Sequence, residues 1–85
     1  MKHITIDCTL IPDKATLHQA LAQALNFPDY YGNNLDALYD CLTDIREDTT
    51  LALRHFNSMD SFRGGFLAVL EEAEQENPHL IVTIA

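Results

Sequence analysis

The sequence predicts an α/β fold, a small three-stranded parallel sheet packed with three to four helices. Two observations carry that expectation. Short β-branched segments alternate along the chain with longer segments of helical periodicity, and strands separated by helices favour parallel pairing through right-handed crossovers. The 85 residues are 47% hydrophobic with only 3 Gly and 3 Pro, which argues for one packed core over a disordered acidic tail. Residues 1–85 are therefore expected to form a single domain with a radius of gyration of roughly 12 Å, too small for a core plus a cofactor domain.

The first strand is Lys2-His3-Ile4-Thr5-Ile6-Asp7, where polar and apolar residues alternate. Pro12 and Asp13 break it, and Asp13 is placed to cap a helix over Lys14–Leu25, with Leu17, Ala20, Leu21, Ala24 and Leu25 as its buried stripe. Asn26 to Asn33 is a turn-rich connector carrying Phe27, Tyr30 and Tyr31. A second helix spans about Asn34 to Asp44, capped at Asn33 or Asn34, and a charged loop covers Asp44 to Thr50. Leu51 to Phe56 is the second strand. Asn57 to Gly65 is a polar linker with room for its own helical turn, and Gly64-Gly65 reads as a turn. The third helix runs from about Gly65 to Gln75 and stops at Asn77-Pro78. Leu80-Ile81-Val82-Thr83-Ile84 is a continuous apolar run, the pattern of a strand buried on both faces.

Composition excludes several classes of function. Thirteen acids against five bases give a net charge of −8, the wrong sign for binding a phosphate backbone and the right sign for a basic partner. No apolar run reaches membrane-span length and no basic-then-apolar leader opens the chain, so a cytoplasmic protein without membrane contact is expected. Cys8 and Cys41 form no CxxC, and His3, His18, His55 and His79 lack ligand spacing, so no metal or other cofactor is expected and the thiols are expected to be reduced and buried. No catalytic residues are assigned. Ser58 and Ser61 lie outside any nucleophile elbow, no Cys–His arrangement is visible, and Gly64-Gly65 is not a phosphate-binding loop.

The second helix carries the information. At about 100° per residue, Leu35, Leu38, Cys41, Leu42 and Ile45 fall on one arc and Asp36, Asp40 and Asp44 on the opposite one, flanked by Tyr39 and Thr43. Like charges one turn apart weaken a helix by a few tenths of a kcal/mol per pair. Residues 29 to 48 hold Asp29, Asp36, Asp40, Asp44, Glu47 and Asp48 against the single base Arg46. The row is either a solvated face or a ridge that offers carboxylates where a partner expects phosphates. The tyrosines are either interface anchors or core and cap residues. An exposed row of carboxylates is poorly suited to acid–base catalysis, which needs a pocket that drives two pKa values apart. On the third helix, Glu72 and Glu76 share one flank of the buried stripe and Glu71 and Glu74 the other, and spacing alone does not choose between them.

The run Phe27-Pro28-Asp29-Tyr30-Tyr31-Gly32-Asn33-Asn34-Leu35-Asp36-Ala37-Leu38-Tyr39-Asp40-Cys41-Leu42-Thr43 closely resembles the signature of barstar-like ribonuclease inhibitors, and the element order agrees over most of the chain. The resemblance implies an intracellular inhibitor that plugs the cleft of a basic, guanyl-specific, extracellular-type ribonuclease in a 1:1 complex, without contacting nucleic acid or a small-molecule substrate. It implies that Asp40 enters the substrate phosphate site, that Asp36 pairs with a second basic group, and that Tyr30 packs over a catalytic histidine. Gly32, Asn34, Leu35, Tyr39 and Thr43 would complete the contact, and Glu72 and Glu76 match the family's rim acids. Tyr39 replaces a tryptophan of the family pattern, the linker after the second strand is shorter, and Asp44 adds charge at the contact edge. The alternatives are an acidic adaptor or immunity protein for another basic nuclease or a non-enzymatic basic protein and, in a different class, a small hydrolase.

Overall fold

The computed structural model describes residues 1–58 and 62–85, so part of the expected linker over 57–65 lies outside the described residues. β1 (Lys2–Asp7) opens the chain, and the Asp7 carboxylate ends it by accepting the Thr9 backbone N–H at 3.0 Å and hydroxyl at 2.7 Å. A 3-10 turn over Cys8–Leu10 then buries Cys8. α1 (Lys14–Leu25) starts at the expected cap, where Asp13 Oδ1 accepts the Thr16 N–H at 2.8 Å. It stops at Asn26, whose left-handed backbone (φ 58°) lets its own N–H and that of Phe27 return to the Ala22 carbonyl. α2 (Leu35–Thr43) follows, then β2 (Thr49–Arg54), a 3-10 turn over Phe56–Ser58, α3 (Arg63–Glu76) and β3 (Leu80–Ile84).

The three strands form one parallel sheet in the order β1-β2-β3, with Ile4, Leu51 and Val82 in one row and Ile6, Leu53 and Ile84 in the next. Two right-handed crossovers in that order place every helix on the same face. On that face Ile4, Ile6, Leu51, Leu53 and Leu80 meet Leu17 and Leu21 of α1, Leu38 and Leu42 of α2, and Phe66, Leu70 and Ala73 of α3. The other face, which carries His3, Thr5, Ala52, Ile81 and Thr83, has no layer over it among the described residues. The radius of gyration, 11.6 Å, agrees with the size expected.

Three expectations need correction. β3 is not buried on both faces: Ile81 is 50% exposed and Ile84 44%, because β3 is an edge strand of a two-layer structure. β2 starts at Thr49 and not Leu51, since the Thr49 N–H already joins the ladder at the His79 carbonyl (2.7 Å). It ends before His55, whose left-handed backbone (φ 56°) breaks extension. Gly64-Gly65 is not a turn outside the third helix but lies within the first turn of α3, where a Cβ on Gly65 would stand 3.2 Å from Leu35 Cδ1.

Two long-range contacts fix the helices to the sheet. Asn77 is 3% exposed; its Nδ2 donates to the Leu42 carbonyl at 2.8 Å and the Ile45 carbonyl at 2.9 Å, while its Oδ1 accepts the His79 N–H at 2.9 Å. The end of α2 and the residue just beyond its cap are thus tied to the start of β3. Glu74 reaches sideways from α3, and its Oε2 accepts the Val82 N–H at 2.7 Å on the open edge of β3, a position that otherwise offers an unpaired donor to another chain.

Asn77→Ala is expected to cost about 2–4 kcal/mol of unfolding free energy, measured by urea denaturation, because it removes the three hydrogen bonds of a buried amide. A loss below about 1 kcal/mol would show that the amide is replaceable. Glu74→Ala is expected to raise the hydrogen-exchange rate of the Val82 amide while leaving the β1–β2 amides protected. Equal protection of Val82 in the variant would contradict the edge-capping role.

Candidate functional site

The loop before α2 is built by short polar contacts. The Tyr31 N–H donates to the Pro28 carbonyl at 3.0 Å, closing a turn that sends the two tyrosines opposite ways. Tyr30 is 88% exposed, whereas Tyr31 packs against Phe27 with ring centroids 5.0 Å apart and shares a 2.5 Å hydrogen bond with His18 Nδ1. Burial pushes the Tyr31 phenol up to about 12. Burial also holds the His18 imidazole below its ordinary value of 6.5, with help from the Lys14 ammonium. The bond between the phenol and Nδ1 ties the loop before α2 to α1.

Asn33 takes the left-handed conformation (φ 53°), and Asn34 caps α2, its Oδ1 accepting the Ala37 N–H at 2.8 Å and its Nδ2 donating to the Gly32 carbonyl at 3.3 Å. A Cβ on Gly32 would meet Asn34 Nδ2 at 3.0 Å, so glycine here preserves the cap. Gly32 and Asn34 therefore set where α2 begins. Leu38 and Leu42 then face the core, with Cys41 and Ile45 half-buried beside them, while Leu35, expected on the same stripe, is 36% exposed at the first turn. Thr43, half-buried, spends its hydroxyl inside the helix on the Tyr39 carbonyl at 2.9 Å and the Asp40 carbonyl at 3.2 Å.

Asp36, Asp40 and Asp44 are all exposed. Among the described residues neither Asp36 nor Asp40 has a basic partner; Asp44 meets Arg46 at 4.0 Å with both side chains more than four-fifths exposed, a pair of little consequence. Asp40 is the crest between two grooves. One, of 320 Å³, joins it to Tyr30, Asp44, Cys41 and Ile45; the other, of 410 Å³, joins it to Leu35, Asp36, Tyr39, Val69 and Glu72. The structure thus brings together Tyr30, Leu35, Asp36, Tyr39, Asp40, Asp44 and Glu72. Glu76 is exposed one turn beyond Glu72 and lines neither groove. Glu74, on the other flank, is committed to β3. Asn77 and His18, which hold the frame of this face, had faint signals in the sequence: an Asn before Pro, and a histidine beside the apolar stripe of the first helix.

Cys8 is buried and Cys41 half-buried, both as free thiols whose pKa burial pushes up, so neither is an activated nucleophile. Among the described residues no group of three or more His, Cys, Asp or Glu could hold a metal ion, and no helix is long and apolar enough to cross a membrane.

The sequence pattern of the family described as Barstar (barnase inhibitor) matches residues 1–84. The chain belongs to the barstar family. It is also similar to the protein named "Putative ribonuclease inhibitor YrdF" of Bacillus subtilis (strain 168), with 42% identity over 81 residues that cover 89% of each chain. In this barstar-family chain the signature residues run from the turn before α2 through its Asn34 cap and along the helix.

The native state of this barstar-family chain holds His18 neutral, so below pH 6.5 the unfolded chain binds a proton that the folded chain refuses. The stability that follows is whole above that pH and is lost as pH falls through it toward the lower native value. Unfolding free energies measured from about pH 7 to about pH 5 are expected to fall more steeply for the natural sequence than for His18→Gln. Parallel curves would contradict the burial of a neutral imidazole.

Proposed function

We propose that this chain is an intracellular, non-enzymatic inhibitor of a basic, barnase-type ribonuclease, which it engages 1:1 with the acidic face of α2. The observation that carries the reading is the position of Asp40, an exposed carboxylate without a basic partner among the described residues, on the crest shared by two grooves. A carboxylate in that place presents oxygens to arginine or histidine donors as a substrate phosphate does, and charge-assisted bonds of that kind are among the strongest available. Asp36 and Glu72 would extend the contact on one side of Asp40 and Tyr30 on the other, with Gly32, Asn34, Leu35, Tyr39 and Thr43 shaping the surface and Glu76 at its rim. The charge of −8 steers a basic nuclease toward this face. An exposed ridge lacks the enclosure that carboxylate catalysis requires, which favours an inhibitor over a hydrolase.

Asp44 shares the Tyr30–Asp40 groove and adds a charge to it, which favours a nuclease with an additional basic group at the matching edge of its cleft. The cognate enzyme under that reading is a basic nuclease other than a strictly guanyl-specific one.

Titration into a barnase-type ribonuclease assay is expected to give stoichiometric inhibition that weakens with added salt. Asp40→Ala is expected to raise the inhibition constant by about 30-fold to several thousand-fold, the range for removing one partner of a buried charge pair, with an unchanged unfolding midpoint. Full inhibition by the variant, or loss of its fold, would contradict the proposal. Inhibition of a different basic nuclease alone would select the second reading.

A further inference from the structure

The two edges of the sheet differ. On β3 the outward N–H of Val82 is occupied by the Glu74 carboxylate at 2.7 Å. On β1 the Lys2 N–H turns inward to the Asp48 carbonyl at 2.8 Å. By the alternation of a strand, Ile4 and Ile6 then also direct their backbone groups to β2, and those of His3, Thr5 and Asp7 point outward. Among the described residues no backbone or side-chain group meets the outward N–H groups. His3 and Thr5 are exposed, no proline interrupts the strand, and its register to β2 runs without a bulge from Lys2 to Asp7. An edge of this kind is a template for another strand.

The residues along the edge select the strand that fits. We propose that β1 pairs antiparallel with β1 of a second copy of this chain, about a two-fold axis at Thr5, joining two three-stranded sheets into one. The segment His3-Ile4-Thr5-Ile6-Asp7 complements itself when reversed about Thr5. His3 then stands opposite Asp7 of the second copy, Ile4 opposite Ile6, and Thr5 opposite itself. The outward backbone groups of His3, Thr5 and Asp7 form the hydrogen-bonded pairs, and the isoleucines form the closer pairs between them on the core side. Acid–base and hydroxyl pairs directly across two strands favour their association. Asp7 spends Oδ1 on Thr9, which leaves Oδ2 without a partner among the described residues and able to accept an imidazole N–H.

Other registers fit less well. A shift of one residue sets the outer-face residues against core-face residues. A shift of two places His3 opposite Thr5, or Thr5 opposite Asp7, and loses the acid–base pair. The opposing term is the net charge of −8 on each copy, which repels the other. The contact is a single strand pair and therefore small, so the association is weak and depends on concentration. It uses β1 and leaves the acidic face of α2 free, so it stands apart from the proposed inhibition.

Sedimentation equilibrium of the purified chain from about 10 μM to about 1 mM tests the pairing. A shift from monomer to dimer with concentration is expected. Added salt is expected to favour the dimer by screening the repulsion between copies, the reverse of its effect on binding a basic nuclease. Thr5→Pro removes the outward N–H at the two-fold axis, a place where an edge strand tolerates proline. It is expected to keep the far-ultraviolet circular dichroism of the natural chain and to stay monomeric. His3→Asp sets carboxylates opposite each other at both ends of the pair and is expected to weaken association roughly tenfold. Thr83→Asp adds the same charge on the exposed outer face of β3, away from the β1 edge, and is expected to leave association within about twofold of the natural chain. A monomer at every concentration, a folded Thr5→Pro chain that still dimerises, or equal weakening by His3→Asp and Thr83→Asp would overturn the proposal.

Discussion

One side-chain amide fixes the direction of α2. Asn77 stands where α3 ends and β3 is about to begin, and from there it donates to two carbonyls at the far end of α2. Its own carbonyl oxygen and backbone are occupied at the same time by His79, Leu80 and Ala73. The residue therefore ties the end of the acidic helix, the end of the third helix and the start of the edge strand to one point. At the other end the Asn34 cap does the same for the first turn of α2. Between the two asparagines, Leu38 and Leu42 hold the helix against the core, and the rotation of the helix follows from them.

That rotation decides which groups face solvent. A short helix bearing three aspartates one turn apart is disfavoured on its own, by a few tenths of a kcal/mol for each like-charged pair. Burying one leucine fully contributes about 1.5–3 kcal/mol, so two of them outweigh the repulsion without any neutralising lysine. The helix N-terminus adds a favourable field at Asp36. The charge can therefore be left free for a partner, and Tyr30 is held beside it because Tyr31 is anchored to His18.

Local features were the most legible in the sequence. The span of α1, its Asp13 cap, the Asn34 cap and the acidic row of α2 all depend on residues within one turn of each other, and the structure has them as expected. The opposite holds for β3. Its apolar run reads as doubly buried, but whether a strand has neighbours on both faces depends on strand order and crossover hand, which are properties of the whole chain. The start of β2 at Thr49 depends on pairing with Leu80, on a strand far away in the sequence. Asn77 acts on α2 across 35 residues, and His18 meets Tyr31 across 13, so neither role can be read from spacing. The candidate contact residues on α2 and its preceding loop follow from the signature, whereas the commitment of Glu74 to the sheet edge depends on a strand that spacing along α3 does not reveal.

The central claim is that the partner surface is the crest of α2 with the grooves on either side of it. Hydrogen exchange of the free chain against the chain saturated with a barnase-type ribonuclease tests this directly, because it maps the covered surface without altering a residue. The account predicts new protection confined to the loop and helix over residues 27–44 and to α3 around Glu72, with the outer face of the sheet unchanged. Protection on the outer face at Thr5, Ala52 and Thr83, with α2 still exchanging freely, would contradict it.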